Sequence, residues 1–371
     1  MQALHQDILP PSGVEFATSL KLTPSTSLDS ALEPSTSAAA SHKRALYNIV
    51  VARCNVLRVF EVREEPAPIS AQADEERERR SNVRRGTDAV EGEVEMDVQG
   101  EGFVNMGSVK TTGLKGATGP PTVIRLYFVR EHRLHGTVTG LESVRIISSI
   151  EDKLDRLLVS FKDAKIALLE WSDAVHDLIT VSIHTYERAP QLLSLDSSLF
   201  RAELRTDPDS RCAALLLPQD ALAILPFYQT QAELDELESS RARDVPYSPS
   251  FILDFAKDVD ESIRNVADFA FLPGFNNPTV AVLFQTQETW TGRLKEYKDT
   301  MRLFIFTLDL ITRSYPVITR VEGLPYDCLS LAPCSPALGG VVVLASNALM
   351  HVDQASRRVV LPRERLALTH Q

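Results

Sequence analysis

Gly113-x-x-Gly116-x-x-Gly119 has the spacing of a loop whose amides cradle phosphate, a chemistry that needs a helix N-terminus behind the last glycine. Here the run passes straight into Pro120-Pro121 and carries no Lys-Ser/Thr pair, so a flexible connection is the better reading. Asp207-Pro208-Asp209-Ser210-Arg211 brings two carboxylates together, as an acid–base site would. It stands just ahead of the apolar run Cys212–Leu217, where Pro208 presets φ for a tight turn and the aspartates bond local amides. Cys328-x5-Cys334 lacks both a zinc-site spacing and nearby histidines. His176 beside Asp177 falls in a polar connection and reads as solvated. The eight histidines include no His-Glu-x-x-His pair, and no Gly-x-Ser-x-Gly elbow presents a serine. Arg77, Arg79, Arg80, Arg84 and Arg85 form a dense basic cluster, but Glu75, Glu76 and Glu78 neutralise it, which favours a solvated loop over an RNA or nuclear-import patch. The expectation is a non-enzyme with no catalytic residue, no metal ligand and no cofactor, whose binding residues residue type alone does not identify.

The elements around these residues are more regular than the chemistry. Leu157 to Trp171 is two short apolar runs around a polar tip at Lys162, Asp163 and Lys165. The same design recurs at Asn48–Val62, Arg211–Phe227, Thr279–Leu310 and Gly340–Asp353. The runs are rich in Val, Ile, Leu and Phe, and breaks such as Pro218-Gln219-Asp220 and Ser346-Asn347 supply turn residues. Tips near 164 and 219 give a repeat of 50-odd residues, close to the ~40–50 of a four-stranded propeller blade. This predicts an all-β, divergent WD-like β-propeller over residues 1–362; a β-sandwich, also made of hairpins, is the alternative from pattern alone. No Trp-Asp dipeptide closes the units, and Trp171 and Trp290 are the only tryptophans. Phe161, Leu168, Phe227 and Phe284 are expected between blades, and Cys54 and Cys212 as buried thiols within strands.

Three stretches break the pattern. Thr23–Ser41, rich in Ser, Thr, Pro and Ala, and Glu64–Pro121 offer little to bury and are expected to be disordered insertions. Gln229–Tyr247 is a third insertion, in which Ala232–Arg243 has the pattern of a short surface helix. The formal net charge is −11. Glu61 to Glu101 holds 13 acidic residues and six arginines, a local −7, leaving −4 elsewhere. A primary nucleic-acid binder needs a basic face, and none is evident. No window holds the roughly 18 consecutive apolar residues of a membrane span, and the first residues do not form a secretory signal. Four scattered cysteines fit a reducing, intracellular setting.

The hairpins also carry a likeness. Leu158-Val159-Ser160-Phe161-Lys162-Asp163-Ala164-Lys165 resembles a hallmark segment of the large subunit of the cleavage and polyadenylation specificity factor. Arg205-x-Asp207-Pro208-Asp209-x-Arg211-Cys212, Leu225-Pro226-Phe227 and Pro278-Thr279 with Leu283-Phe284 follow in the family's order. So do Thr289-Trp290-x-Gly292-Arg293, Leu324-Pro325-Tyr326-Asp327-Cys328 and Gly339-Gly340-Val341-Val342-Val343. The likeness runs from about Pro11 to about Asp353 and matches the N-terminal propeller of that family.

The resemblance implies a scaffold in the nucleus, within the machine that recognises the polyadenylation signal of pre-mRNA. It implies partners of two kinds, a WD-repeat subunit and a subunit with CCCH zinc fingers, with RNA met mainly through them and no membrane involved. The runner-up within the superfamily is the large subunit of the UV-damaged DNA-binding complex, a ubiquitin-ligase adaptor. The Glu64–Pro121 insertion and the tail 363–371 depart from the family pattern. A fragment or truncated gene model would account for that tail, and would leave the ring of blades open.

Overall fold

The structure, a computed structural model, describes residues 13–26, 44–66, 122–147, 149, 152–193, 202–228, 247–287, 289, 291–346, 348–353 and 358–362. These form five four-stranded antiparallel sheets, each a meander of four consecutive strands. Sheet 1 holds β1 (Phe16–Leu20), β2 (Arg44–Arg53), β3 (Val56–Pro66) and β4 (Thr122–Arg133). Sheet 2 holds β5 (Val138–Val144), β6 (Arg156–Phe161), β7 (Lys165–Ser172) and β8 (Asp177–Thr185). Sheet 3 holds β9 (Leu204–Thr206), β10 (Cys212–Leu217), β11 (Ala221–Pro226) and β12 (Phe251–Asp254). Sheet 4 holds β13 (Val266–Leu272), β14 (Thr279–Gln285), β15 (Met301–Thr307) and β16 (Val317–Leu324). Sheet 5 holds β17 (Cys328–Pro333), β18 (Val341–Ala345), β19 (Ala348–Val352) and β20 (Arg358–Pro362).

This is blade architecture. The first strands pack in succession, β1 on β5, β5 on β9, β9 on β13 and β13 on β17. No comparable contact joins β17 to β1 among the described residues, so the described blades form an arc. Each of the five hairpins expected from sequence is the middle pair of one blade, β2–β3, β6–β7, β10–β11, β14–β15 and β18–β19. Blade 3 shows why some runs are continuously apolar. Every residue of β10 and β11 is buried, because sheets 2 and 4 cover both its faces. By contrast, the outer strand β16 alternates buried and exposed positions, as a half-covered strand does.

Several polar side chains pin one blade to the next. Asp155 accepts from the Lys21 amide at 2.8 Å, and Ser210 Oγ from the Arg145 amide at 3.1 Å. Gln219 and Asp220 both take positive φ, 59° and 55°, in the β10–β11 turn. From there Asp220 accepts from the amides of Asn265 (2.9 Å) and Val266 (2.8 Å) at the start of blade 4. Asp268 on β13 accepts from the Leu331 amide of β17 at 2.7 Å.

Four sequence expectations are corrected. Thr23–Thr26, placed in a disordered stretch, is ordered: Thr23 and Thr26 are buried, and Asn48 Oδ1 accepts from the Leu22 and Thr23 amides at 2.9 Å. Residues 27–41 of that stretch lie outside the described residues. Glu64, Glu65 and Pro66 belong to β3, because β4 supplies their ladder partners; 67–121, with the arginine cluster and the three glycines, is outside the description. Cys54 is exposed, since it occupies the β2–β3 turn at φ 52° rather than a strand. Phe161 is half-buried, lying at the end of β6 over Gly136, while Leu168, Phe227 and Phe284 are buried as expected. Tyr247 pairs with Phe227 in an isolated antiparallel bridge; 229–246 and the tail 363–371 are outside the described residues.

Candidate functional site: the cavity beside the first strands of blades 1 to 3

The first strands of blades 1 and 2 and the approach to β9 of blade 3 border an open cavity of about 810 Å³. Glu15, Phe16 and Ala17 line it from blade 1, Val138 to Glu142 from β5, and Ala202 to Arg205 from the approach to β9. Lys162, at the tip of the β6–β7 hairpin, closes one side. That tip is held by the Lys162 amide donating to Thr137 O at 3.0 Å, and by Ala164 at φ 50°. Gly140 lets β5 approach its neighbours, since a Cβ there would sit 2.9 Å from Ser160 Oγ and 3.1 Å from Leu204 Cβ.

Three carboxylates and two cations meet around this space. Arg205 donates to Glu203 at 3.2 Å and reaches toward the buried Asp268 at 3.7 Å. Glu142 accepts only a long hydrogen bond from Thr206 Oγ1, at 3.4 Å. Burial raises the Glu142 pKa to about 7, against the lowering pull of Arg205 and the Thr206 hydroxyl. Near neutral pH this group can hold or release a proton, or accept a cation brought by a partner.

The groups singled out by spacing have structural roles elsewhere. Asp207 is buried, and its Oδ2 accepts from the Asp209 amide (3.2 Å), the Arg211 amide (3.3 Å) and Arg211 Nε (2.7 Å). This is the local turn that the spacing predicts. Sequence reasoning missed its second half, in which Arg211 Nη1 donates to Phe275 O (2.8 Å) and Asn276 O (2.5 Å) of the next blade. The Asp207–Arg211 spacing of four was the available signal. His176 is exposed in the β7–β8 turn, while Asp177 accepts from Arg130 at 2.8 Å and pairs with His132 at 2.9 Å, tying β8 to β4.

Cys328 and Cys334 are buried free thiols, and no cluster of three metal-ligating side chains occurs among the described residues. Burial also raises the Cys212 thiol pKa well above the ordinary range, which leaves it unreactive. Ser182 Oγ and His184 Nε2 are 3.1 Å apart on β8, a geometry that a nucleophile and base would share. His184 packs edge-on against Tyr247, and burial lowers its pKa. No carboxylate orients it among the described residues, so the pair lacks the third member of a hydrolytic triad. In the likeness-bearing segments, Lys165 pairs with Glu187, Arg293 stacks on Tyr297 at 4.2 Å, and Thr289 donates to Tyr297 O at 2.9 Å. Trp290 lies outside the described residues. Glu142 was not legible as a site residue; its one signal is a charge within the otherwise small and apolar run of β5.

A family model described as the RSE1/DDB1/CPSF1 first beta-propeller matches residues 121–370. Over 242 residues the chain is 32% identical to "Cleavage and polyadenylation specificity factor subunit 1" of Drosophila melanogaster, covering 62% of this chain and 16% of that protein. It is 30% identical over 379 residues to "Protein CFT1" of Coccidioides immitis, covering 95% of this chain and 23% of the relative. With "Protein cft1" of Aspergillus oryzae it shares 36% identity over 262 residues, covering 63% and 19%. The chain therefore spans between 16% and 23% of the length of these relatives.

Proposed function

This chain belongs to the RSE1/DDB1/CPSF1 first β-propeller family, and from that premise we propose that it is a non-catalytic scaffold module of the nuclear pre-mRNA cleavage and polyadenylation machinery. Its role is to hold a WD-repeat subunit and a CCCH zinc-finger subunit that read the polyadenylation signal. The observation that carries the reading is the set of blade-to-blade pins at Asp155, Ser210, Arg211, Asp220 and Asp268. They bond backbone groups of the neighbouring blade, so the loops at the blade ends are held in fixed relation. A rigid array of loops suits partner binding, in the way propellers generally serve.

Base readout needs positive charge for the phosphates and stacking groups for the bases. Around the cavity the chain instead sets Glu15, Glu142 and Glu203 against Lys162 and Arg205. The purified chain is accordingly expected to bind RNA weakly, lose that binding with added salt, and not prefer AAUAAA over a scrambled hexamer. Affinity purification of the tagged chain from nuclear extract should recover the WD-repeat and zinc-finger subunits. Selective, salt-resistant hexamer binding by the isolated chain would overturn the scaffold reading and make it a direct reader.

A further inference from the structure

Of the charged side chains lining the open cavity of blades 1 to 3, all but one have their charge accounted for. Glu15 accepts from the Cys54 amide at 3.0 Å. Glu203 takes Arg205 at 3.2 Å, and Arg205 reaches on toward Asp268 at 3.7 Å. Lys162 stands exposed to solvent at its hairpin tip. Glu142 is the exception. Half-buried on β5, it accepts at Oε2 from the Thr206 hydroxyl at a long 3.4 Å, and its Oε1 accepts from nothing among the described residues. Arg205 is the cation whose charge acts on it, and that guanidinium is already shared between two other carboxylates.

What would complete Glu142 is a cation from outside the chain, and the surroundings narrow its kind. A divalent metal ion needs several oxygen ligands, and no cluster of three metal-ligating side chains occurs among the described residues. A guanidinium is best served by both oxygens of a carboxylate, one of which is taken here by Thr206. An ammonium is a point charge and is satisfied by the one free oxygen. Phe16, Val138 and Leu141 add apolar wall, along which the aliphatic stem of a lysine can lie while its head meets the carboxylate. A cavity of about 810 Å³ with apolar walls and a few convergent polar groups has the usual form of a binding site.

We propose that this cavity is a lysine-binding site, which takes the side chain of a lysine from a partner protein and sets its ammonium on Glu142 Oε1. The inference deepens the scaffold reading, on which it rests, by giving one partner contact its chemistry. Ionised Glu142 is the form that binds. Its pKa of about 7 leaves it about one-tenth ionised at pH 6 and about nine-tenths at pH 8. The other charged groups around it are Glu15 ahead of β1, Lys162 at the β6–β7 tip, Glu203 before β9 and Arg205 on it, with Asp268 of β13 behind Arg205. No histidine lines the cavity. Binding should therefore strengthen with pH across that interval, in which lysine itself stays charged.

Acetyl-Ala-Lys-Ala-amide, titrated into the full 371-residue chain and followed by backbone amide NMR shifts, tests the site. Shifts should move at Gly140, Glu142 and Arg205, and affinity should rise about tenfold from pH 6 to pH 8. The Nε-acetylated peptide, which lacks the charge, should bind at pH 8 about tenfold more weakly or worse. Glu142→Gln should bind at every pH as weakly as wild type does at pH 6, whereas Glu322→Gln, on the outer strand β16, should match wild type throughout. Equal binding by Glu142→Gln, or an affinity that is flat with pH, overturns the proposal. Recovery of the partner subunits from nuclear extract by a chain that fails to bind the peptide would strike the lysine site and leave the scaffold reading. Pairing of the peptide with Glu142 without recovery of those subunits would uphold the site and strike that reading.

Discussion

The interface between blades 3 and 4 and the face of blade 1 that carries Phe60 and Phe128 are built from the same materials with opposite outcomes. Between blades 3 and 4, Phe284 and Phe304 meet edge-on at 4.9 Å and Phe255 and Phe306 at 6.1 Å, all four fully buried. On blade 1, Phe60 and Phe128 adopt the same edge-on geometry at 5.7 Å, yet Phe128 remains 59% exposed. Ring pairing within a sheet is thus a local matter of register. Burial is decided by whether another sheet lies above, and burial carries most of the energy.

The largest test of that contrast is Phe284→Ala. It should lower stability by about 3–5 kcal/mol, as removal of a fully buried ring does. The matching change Phe128→Ala should stay within about 0.5 kcal/mol, because that ring is 59% exposed. Urea unfolding of both variants checks the pair. Equal losses would mean that the Phe128 ring is covered in solution.

Between these extremes lies Glu142, half-buried at the edge of the cavity. Its folded pKa of about 7 stands above the ordinary carboxylate value of 4.5, so the folded state binds the proton more tightly than the unfolded state. The group therefore weakens the fold progressively as pH rises from about 4.5 to about 7, and by a constant amount above that. Glu142→Gln should raise stability at pH 8 by on the order of 2 kcal/mol and change it little at pH 4. Thermal melts of both proteins across that range measure the difference. A gain that is independent of pH would assign the effect to packing.

A smaller effect is expected at Phe161, whose ring covers Gly136 so closely that a Cβ there would meet Phe161 Cδ1 at 2.8 Å. Because the ring is half-buried, Phe161→Ala should cost about 1–2 kcal/mol, less than Phe284→Ala. Denaturant midpoints rank the two. A loss as large as that at Phe284 would place Phe161 in a closed interface.

Much of the blade pattern was legible before any coordinates. The β10–β11 hairpin follows from Cys212–Leu217, Pro218-Gln219-Asp220 and Ala221–Pro226, because strand pairing across a short turn involves residues close in sequence. The Asp207 turn was legible for the same reason. Thr23–Thr26 was misread because its composition offers little apolar surface; what orders it is Asn48, about 25 positions away. Cys54 was misread by one turn position, a boundary that an apolar run does not mark.

The amino-acid sequence by itself determined the local units of this protein: short, near-continuous apolar runs, turn residues between them, and so five hairpins in series. Those features rest on contacts within a few residues, which composition and spacing encode directly. Only the tertiary structure decided which side of each hairpin is covered, that Asp220 and Arg211 reach into the following blade, and that Glu142 is partly desolvated near Arg205. Each of these depends on a neighbour that the chain supplies about 45 to 65 positions away. Desolvation and hydrogen-bond partnership belong to that neighbour as much as to the residue itself, which is why the same phenylalanine pair is core in blade 4 and surface in blade 1.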